Sequence, residues 1–175
     1  MSEVRRGWRE SGLVWWPLGL GALVVDQLTK ELIQHVFALH ESKYVLPVLD
    51  IVRAHNYGAA FSFLDRAGGA QRWVFTLFAV LVSAGLLIAL RRAPRQLQRL
   101  QNAGLMLVAS GALGNAIDRM RHGYVVDFIN AHWKDAYFPA FNVADSCITV
   151  GAGLILLDAL LEWRRERRVA KGRVD

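Results

Sequence analysis

The chain is organised around the stretch from Gly123 to Asp145, G-Y-V-V-D-F-I-N-A-H-W-K-D-A-Y-F-P-A-F-N-V-A-D. Asp127 lies inside an apolar run, and Asp145 follows F-N-V-A and opens a long apolar segment. A carboxylate in apolar sequence is costly unless it is neutral, paired or required for function. Two such carboxylates brought together can perform acid–base hydrolysis with water as the nucleophile. Asp127 and Asp145 are therefore candidate catalytic residues.

Composition indicates a membrane protein. Of the 175 residues 54% are hydrophobic, the mean hydropathy is +0.24, and the formal net charge is +6. The apolar residues form long runs with the charges between them, which is typical of a polytopic membrane protein. Basic residues that flank such runs orient the chain and contact anionic lipid, so no nucleic-acid partner is expected. The single cysteine, Cys147, excludes an internal disulfide and a cysteine-based metal cluster, and is interpreted as a packing residue.

Four hydrophobic segments are predicted to be transmembrane helices, at about residues 13–33, 73–90, 101–117 and 143–161. The third is rich in small residues, which let helix backbones approach closely in lipid. No small-residue cleavage site follows the first run, so we interpret it as a retained helix and not as a signal peptide. The expected fold is an all-α polytopic membrane protein with one domain, residues 1–175. A small β-sheet outside the membrane and an outer loop or helix over the active site are expected to complete it.

The distribution of Lys and Arg predicts the orientation of the four helices. The N-terminal tail, the connection around 91–99 and the C-terminal tail are richer in basic residues than the other two connections. Both termini are therefore expected in the cytoplasm, with the 34–69 and 118–142 loops outside. This topology brings the polar residues of the helix ends to the outer face, which indicates one site there: Asp26, Lys30, Asn115, Asp118, Arg119, Asp127 and Asp145.

The outer loop from Gln34 to Gly69 is too long for a simple connection. Its part at about 44–64 is rich in β-branched and aromatic residues, which predicts short strands, with Pro47 at an edge or a strand start. Asn56-Tyr57-Gly58 is typical of a turn that contains a residue at positive φ. A small sheet on the membrane surface would then form one wall of the site. The basic C-terminal tail is expected to be loosely ordered or to extend the last helix.

Each candidate residue also has a purely structural interpretation. Asp145 could cap a helix N-terminus, and Asp127 could be a surface charge in a loop. Asp26 and Lys30, four residues apart, could form an ion pair that stabilises a helix end. Asn142 could form a turn before the last helix.

Further structural alternatives concern the polar residues of the third helix and the histidines. Asn115, Asp118 and Arg119 could form a helix end with an ion pair, or they could orient a substrate backbone or a catalytic acid. His122 and His132 flank Asp127, but they lack the spacing of metal ligands, and ordinary loop histidines are the favoured interpretation.

Five motifs in order resemble the lipoprotein signal peptidases of bacteria, the signal peptidase II family. They are D-Q-L-T-K at 26–30, N-Y-G-A-A-F at 56–61, G-A-L-G-N-A-I-D-R at 111–119, V-V-D-F at 125–128 and F-N-V-A-D at 141–145. The match extends from the first helix through the fourth. Ser110 stands where the family pattern has a second glycine before Gly111. Serine is also small, so little change in packing is expected.

The resemblance implies a four-helix aspartic peptidase of the bacterial inner membrane, with its active site near the outer (periplasmic) face. It would cleave prolipoproteins before a diacylglyceryl-modified cysteine. The family's catalytic aspartates correspond to Asp127 and Asp145. The expected partners are these substrates, membrane lipid and globomycin-type inhibitors, with no nucleic acid, no metal or other cofactor, and a monomeric state. The remaining residues carried over are, for substrate binding, Asn56, Asn115, Arg119 and Asn142, and, as supports, Asp26, Lys30, Asp118 and Gly58.

A proton-coupled carrier or an assembly subunit is an alternative for a small membrane protein with ionisable residues. A carrier is expected to place these residues near the bilayer midplane, often in two related repeats. Here they gather at one face and no repeat is evident, which favours the peptidase. A serine peptidase is disfavoured because no serine lies in a nucleophile motif with a histidine partner.

Overall fold

The computed structural model describes residues 7–58, 69–94 and 99–171, for Lys171 the backbone only. Helices make up most of these residues: α1 Trp16–Val36, α2 Ala70–Arg92, α3 Arg99–His122 and α4 Val143–Lys171. Two short 3-10 turns, Trp8–Glu10 and Gly12–Trp15, precede α1. The strands are β1 Ser42–Leu46, β2 Leu49–Asn56, β3 Val125–Trp133 and β4 Ala136–Tyr137.

Each of the four segments expected to be helical overlaps one of these helices, but the bounds differ. The α-helix begins at Trp16, with Pro17 in its first turn, where the missing N–H of proline costs nothing. Helix α3 runs on to His122, so Asp118 and Arg119 belong to its last turns. Helix α4 continues through the arginine-rich tail, so the tail extends the helix as far as Lys171.

Helix α3 is the centre of the bundle and packs against α1, α2 and α4. Its small residues permit close approach: a Cβ on Gly104 would lie 2.5 Å from the carbonyl oxygen of Gly151 in α4. A Cβ on Gly114 would lie 2.5 Å from a carboxylate oxygen of Asp26 in α1. Small residues are common where helices associate in lipid, because they allow backbones to come together.

The strands form an antiparallel sheet in the order β1-β2-β3-β4. The sheet lies at one end of the helix bundle, where α1 and α3 end and α2 and α4 begin. We call this the sheet end. In the pairing of β2 with β3, Ala54 lies opposite Asp127 and Asn56 opposite Val125. Residues 59–64 of the expected β-rich loop lie outside the described residues, as does the A-A-F part of the second motif. The loop or helix expected over the site stays a prediction.

The segment 125–133 is a strand and not the loop expected from the sequence. Its residues 125–128 are all buried, so the alternation that marks a half-exposed strand is absent. One face, with Val126 and Phe128, packs on Ile33 of α1, and the other face carries Asp127. The fold is therefore mostly helical with a small antiparallel sheet, and Asp127 is held by a strand ladder.

The helix surfaces are apolar. Among the described residues, Ala70–Arg92 and Val143–Ala170 have the length and composition to cross a membrane, with mean hydropathies of 2.5 and 1.7. Helix α1 carries Asp26, Lys30 and Glu31, and α3 carries polar residues such as Asn102 and Asn115, which lowers the hydropathy of both. Large side chains such as Leu28, Phe78 and Leu156 are nevertheless about two-thirds exposed, at 65%, 66% and 66%. Apolar surface on this scale requires an apolar partner or solvent. Four crossings stay a prediction.

Candidate active site

Asp127 is held between two asparagine amides. The Nδ2 of Asn56 donates to its Oδ2 at 3.0 Å, and the Nδ2 of Asn142 donates to its Oδ1 at 2.7 Å. Asn56 is oriented in turn by Gly58, whose backbone N–H donates to the Asn56 Oδ1 at 2.8 Å. Gly58 has φ +88°, and a Cβ there would lie 2.5 Å from the ring of Phe75. The turn expected at 56–58 thus directs the side-chain amide of Asn56 toward the carboxylate of Asp127.

Asp145 lies in the first turn of α4 and is only partly buried. Its Oδ1 accepts from the Nδ2 of Asn115 at 2.8 Å, and its Oδ2 accepts from the backbone N–H of Asn142 at 3.2 Å. The backbone N–H of Asp145 donates to Asn142 Oδ1 at 3.0 Å. This reciprocal pair is a capping box in which Asn142 is the cap and Asp145 its partner three residues on. Asp145 is therefore not the cap that one sequence alternative proposed.

Asn142 joins the two aspartates. It is fully buried, its side chain contacts Asp127 and its backbone contacts Asp145. Phe141, one residue earlier, pairs with Ile129 of β3 through backbone hydrogen bonds of 2.8 and 3.0 Å. That bridge brings the start of α4 against the strand that carries Asp127. Two acids on different elements thereby share one asparagine.

The environment of Asp127 favours its neutral form. The pKa of Asp127 is raised to about 6, chiefly by burial and in addition by the nearby charge of Asp145. The amides of Asn56 and Asn142, and the charge of Lys30, act in the opposite direction. A carboxyl group that can hold a proton near neutral pH, beside a second carboxylate, is suited to general acid catalysis.

A buried ion cluster lies beneath the two acids. The Nζ of Lys30 is 2.9 Å from Asp26, 3.1 Å from Asp118 and 3.0 Å from the Oδ1 of Asn115. Lys30 and Asp26 are each 1% exposed and Asp118 is 2% exposed. The ion pair expected from the spacing of Asp26 and Lys30 is present, but it belongs to a cluster that also contains Asp118. Asn115 connects the cluster to Asp145.

Each carboxylate of the cluster also holds the backbone beside one candidate catalytic acid. The Oδ1 of Asp26 accepts the N–H of Ala144 at 2.8 Å, next to Asp145. The Oδ2 of Asp118 accepts the N–H of Val126 at 3.1 Å, next to Asp127. Lys30 is therefore the shared counter-charge of the two groups that position α4 and β3.

Arg119 lies in the last turn of α3, close to the two candidate acids. Its Nη1 donates to the Asn115 carbonyl oxygen at 3.4 Å, and its guanidinium lies 5.4 Å from the ring centroid of Phe75. Asp145 and Asp127 both attract its charge. Its Nε is buried with no hydrogen-bond partner among the described residues. A buried donor that is left over in a site is suited to a substrate carbonyl.

Gln27 was not among the residues that the sequence indicated. Its Nε2 lies 3.1 Å from Asp26 Oδ2, 3.1 Å from Asp118 Oδ1 and 3.3 Å from the Gly114 carbonyl oxygen. It thus bridges both carboxylates of the ion cluster. The sequence feature that could have identified Gln27 is its position between Asp26 and Lys30 in an apolar helix, since a polar side chain there needs a partner.

The two histidines beside Asp127 in sequence have aromatic partners. His122 stacks on Tyr124 with ring centroids 5.6 Å apart, and His132 stacks on Tyr137 at 5.0 Å. Within the described ranges no group of three or more His, Cys, Asp or Glu side chains is suited to hold a metal ion. The expectation of a site without metal or other cofactor stays a prediction.

Solved structures define the class of protein. Two structures titled as a bacterial membrane enzyme, determined by the in meso method at 2.3 and 1.9 Å, superpose with TM-scores of 0.73 and 0.75. Their sequences are 32% and 31% identical to this chain. The first match covers 85% of this chain and 88% of the solved one, and the second covers 84% and 92%. The fold is that of a bacterial membrane enzyme.

Sequence relatives define the family. The model of the family described as Signal peptidase (SPase) II matches residues 18–161. The lipoprotein signal peptidase of Shewanella loihica is 52% identical over 167 residues, which are 94% of this chain and 98% of that protein. That of Shewanella woodyi is 51% identical over 153 residues, 87% and 86% of the two chains. The chain belongs to the signal peptidase II family, the proteases that remove signal peptides from prolipoproteins, which decides against the carrier alternative.

Proposed function

We propose that this protein is an aspartic endopeptidase that cleaves prolipoproteins immediately before a diacylglyceryl-modified cysteine, with Asp127 and Asp145 as its catalytic residues. The observation that carries the proposal is the bridge by Asn142, which hydrogen-bonds both carboxylates at distances of 2.7 and 3.2 Å. Two acids held this way can act on one water and one peptide carbonyl.

The two acids have different roles in the proposed mechanism. Asp127 holds the shared proton, because burial and the charge of Asp145 raise its pKa to about 6. Asp145 acts as the base and takes a proton from the attacking water, whose oxygen bonds to the scissile carbonyl carbon. Asp127 gives its proton to the carbonyl oxygen. When the tetrahedral intermediate collapses, Asp127 takes back the proton of the hydroxyl formed from the carbonyl oxygen, and the carbonyl re-forms. The C–N bond breaks, and Asp145 gives its proton to the leaving amine. The acids titrate as a coupled pair.

The four residues expected to bind substrate divide into two kinds. Asn115 and Asn142 are buried, at 7% and 0% exposure, and their amides contact the acids. They keep the dyad in place. Asn56 and Arg119 lie at the open side of the site, and Arg119 has a donor to spare. These two bind the substrate backbone near the scissile bond, where few waters compete for its carbonyl groups.

The membrane topology explains where cleavage occurs. All four helices cross the bacterial inner membrane, both termini lie in the cytoplasm, and the sheet end faces the periplasm, as the distribution of basic residues favours. The ion cluster and the dyad then lie near the outer boundary of the bilayer. The acyl chains of the substrate remain in lipid against the helices and place the modified cysteine at that depth. A monomer suffices for this arrangement, and globomycin-type inhibitors would compete for the same site.

A cleavage assay with a lipidated prolipoprotein, read as a gel shift, tests the proposal. Asp127→Asn and Asp145→Asn are expected to insert normally and to lose at least about a thousandfold in rate, because each removes one of the two proton-transfer groups. Asp135→Asn is the matched control, since Asp135 is exposed in the turn between β3 and β4. Cleavage by either dyad variant at a rate near that of Asp135→Asn would show that the dyad is wrong.

A further inference from the structure

A cavity of about 370 Å³ lies between α1, α2 and α3 at the end of the bundle opposite the sheet. Its lining residues include Trp8, Trp16, Leu20, Leu87, Met106 and Ser110. The hydroxyl of Ser110 donates to the carbonyl oxygen of Met106 at 2.7 Å, within α3. Because this hydroxyl is already hydrogen-bonded, the cavity wall is effectively apolar. On α1 the cavity extends as far as Leu23, three residues or about 4.5 Å of helix rise before Asp26. The residues that line it include neither the dyad nor the members of the ion cluster.

The rim of this cavity is basic. The guanidinium of Arg9 lies 5.2 Å from the ring centroid of Trp8, which lines the cavity. Leu87 lines it from α2, and Arg91, four residues later, is exposed one turn closer to the same end. Residues four apart share a helix face. An apolar cavity with arginines at its mouth matches a molecule that has an apolar chain and an anionic head.

The charge of the rim distinguishes two possible occupants. A signal peptide would bring its apolar region toward this end of the bundle, but the region before it is positively charged. The arginines would repel that region. A phospholipid with an anionic headgroup would be attracted instead, at about 1 kcal/mol for each basic residue near the membrane surface. Charge complementarity therefore selects the lipid.

We propose that the cavity binds one acyl chain of an anionic phospholipid, with the headgroup phosphate at Arg9. Trp8 and Trp16 are each about half exposed, at 50% and 51%, at this end of the bundle. Indole rings favour the headgroup region of a bilayer, which agrees with a headgroup bound here. The site requires only that the helices lie in a bilayer. That the lipid comes from the inner leaflet rests on the topology given under Proposed function.

Native mass spectrometry of the detergent-solubilised protein tests the acyl-chain site with phosphatidylglycerol as the probe. Leu20→Trp fills the cavity from α1, and Leu87→Trp fills it independently from α2. Each is expected to lower phosphatidylglycerol retention about tenfold, the effect of excluding two methylene groups. Val25→Trp is the matched control, because Val25 and Leu20 are equally exposed, at 50%, and Val25 lies outside the cavity. Equal loss in Val25→Trp would overturn the proposal.

The headgroup site is tested by comparing phosphatidylglycerol with phosphatidylethanolamine. Arg9→Gln is expected to lower the preference for phosphatidylglycerol about fivefold, the effect of one basic residue at the surface. Arg165→Gln, in the exposed C-terminal part of α4, should leave it unchanged. Equal retention of the two lipids by the wild type would contradict the headgroup assignment.

Prolipoprotein cleavage by the same proteins separates this proposal from the proposed function. The Leu20→Trp and Arg9→Gln proteins are expected to cleave at the wild-type rate in micelles without phosphatidylglycerol. A raised KM in Leu20→Trp with full lipid retention would instead identify the signal peptide as the occupant. Absence of cleavage by the wild type would count against the proposed function and leave the lipid measurements intact.

Discussion

Lys30 carries one positive charge between two buried carboxylates, at 2.9 Å from Asp26 and 3.1 Å from Asp118. Removing one partner of a buried ion pair leaves an uncompensated charge in a medium that solvates it poorly. The cost is larger here because those carboxylates also bind the backbone next to Asp145 and Asp127. The charge of Lys30 is thus coupled to the geometry of the dyad.

Lys30→Met is expected to destabilise the protein by about 3–5 kcal/mol and to abolish cleavage, because both carboxylates lose their counter-charge. Thermal unfolding in detergent measures the first effect and the gel-shift assay the second. Lys43→Met is the control, since the side chain of Lys43 is 54% exposed and its ion pair with Glu41 lies at the surface. Equal stability of the two variants would show that the cluster contributes little.

The pH dependence of cleavage depends on Asn56. Its amide donates to Asp127 and favours the ionised form, so Asn56→Ala is expected to raise the pKa of Asp127 above about 6. In the proposed mechanism Asp127 acts as the acid, so activity is expected to fall as pH rises through its pKa. The alkaline limb of the kcat/KM profile should therefore move to higher pH in Asn56→Ala, together with a lower maximum.

Asn130→Ala is the control for that measurement. Asn130 lies on β3, the strand that carries Asp127. Its side-chain amide donates to the carbonyl oxygen of Phe138, away from the dyad. The pH profile of kcat/KM in Asn130→Ala should match that of the wild type. If the alkaline limb of the kcat/KM profile stays in place or moves to lower pH in Asn56→Ala, Asp127 is not the acid whose pKa determines that limb.

At the scale of elements, the contact of α3 with α4 determines how Asp145 faces Asn115. A Cβ on Gly151 would lie 2.6 Å from the carbonyl oxygen of Gly104 and 2.8 Å from Val108 Cγ2. Gly151→Ala is therefore expected to cost about 1–3 kcal/mol, because backbone must shift to admit the methyl group. The same shift should lower cleavage. Thermal unfolding and the cleavage assay measure both effects.

Gly153→Ala is the matched control on the same helix, since a Cβ there has no heavy atom within 4 Å among the described residues. Alanine is the better helix former, so this change should be neutral or stabilising by up to about 1 kcal/mol. If both alanine variants behave alike, the close approach of α3 and α4 does not matter to stability.

The helices could be predicted from the sequence because long apolar runs leave few alternatives in a chain of this composition. Strand β3 could not, since it is buried on both faces and its residues 125–128 show no alternation. Spacing also revealed the Asp26–Lys30 pair, because residues four apart share a helix face. It could not reveal Asp118 or Gln27 as partners, since Gln27 and Asp118 are 91 residues apart and meet only when α1 packs on α3.

At the scale of the whole molecule, the orientation in the membrane is a prediction. Lys and Arg are more than twice as frequent in the two tails and the 91–99 connection as in the other two connections. Reporter fusions at Ala93 and Gly69 are expected to give cytoplasmic and periplasmic signals, respectively, because basic segments are retained inside. A cytoplasmic signal at Gly69 would overturn the topology.

The hydrogen bond from Ala144 to Asp26 joins residues 118 positions apart in the chain. Synthesis proceeds from the N-terminus, so α1, α3 and β3 are made before the partner of Asp26 exists. In the proposed mechanism the dyad is incomplete until the first turn of α4 has packed on α1, because Asn142 and Asp145 belong to that part of the chain. A nascent chain would then be unable to hydrolyse peptides before its last helix is in place. This order of assembly would protect other membrane proteins from a partly made protease.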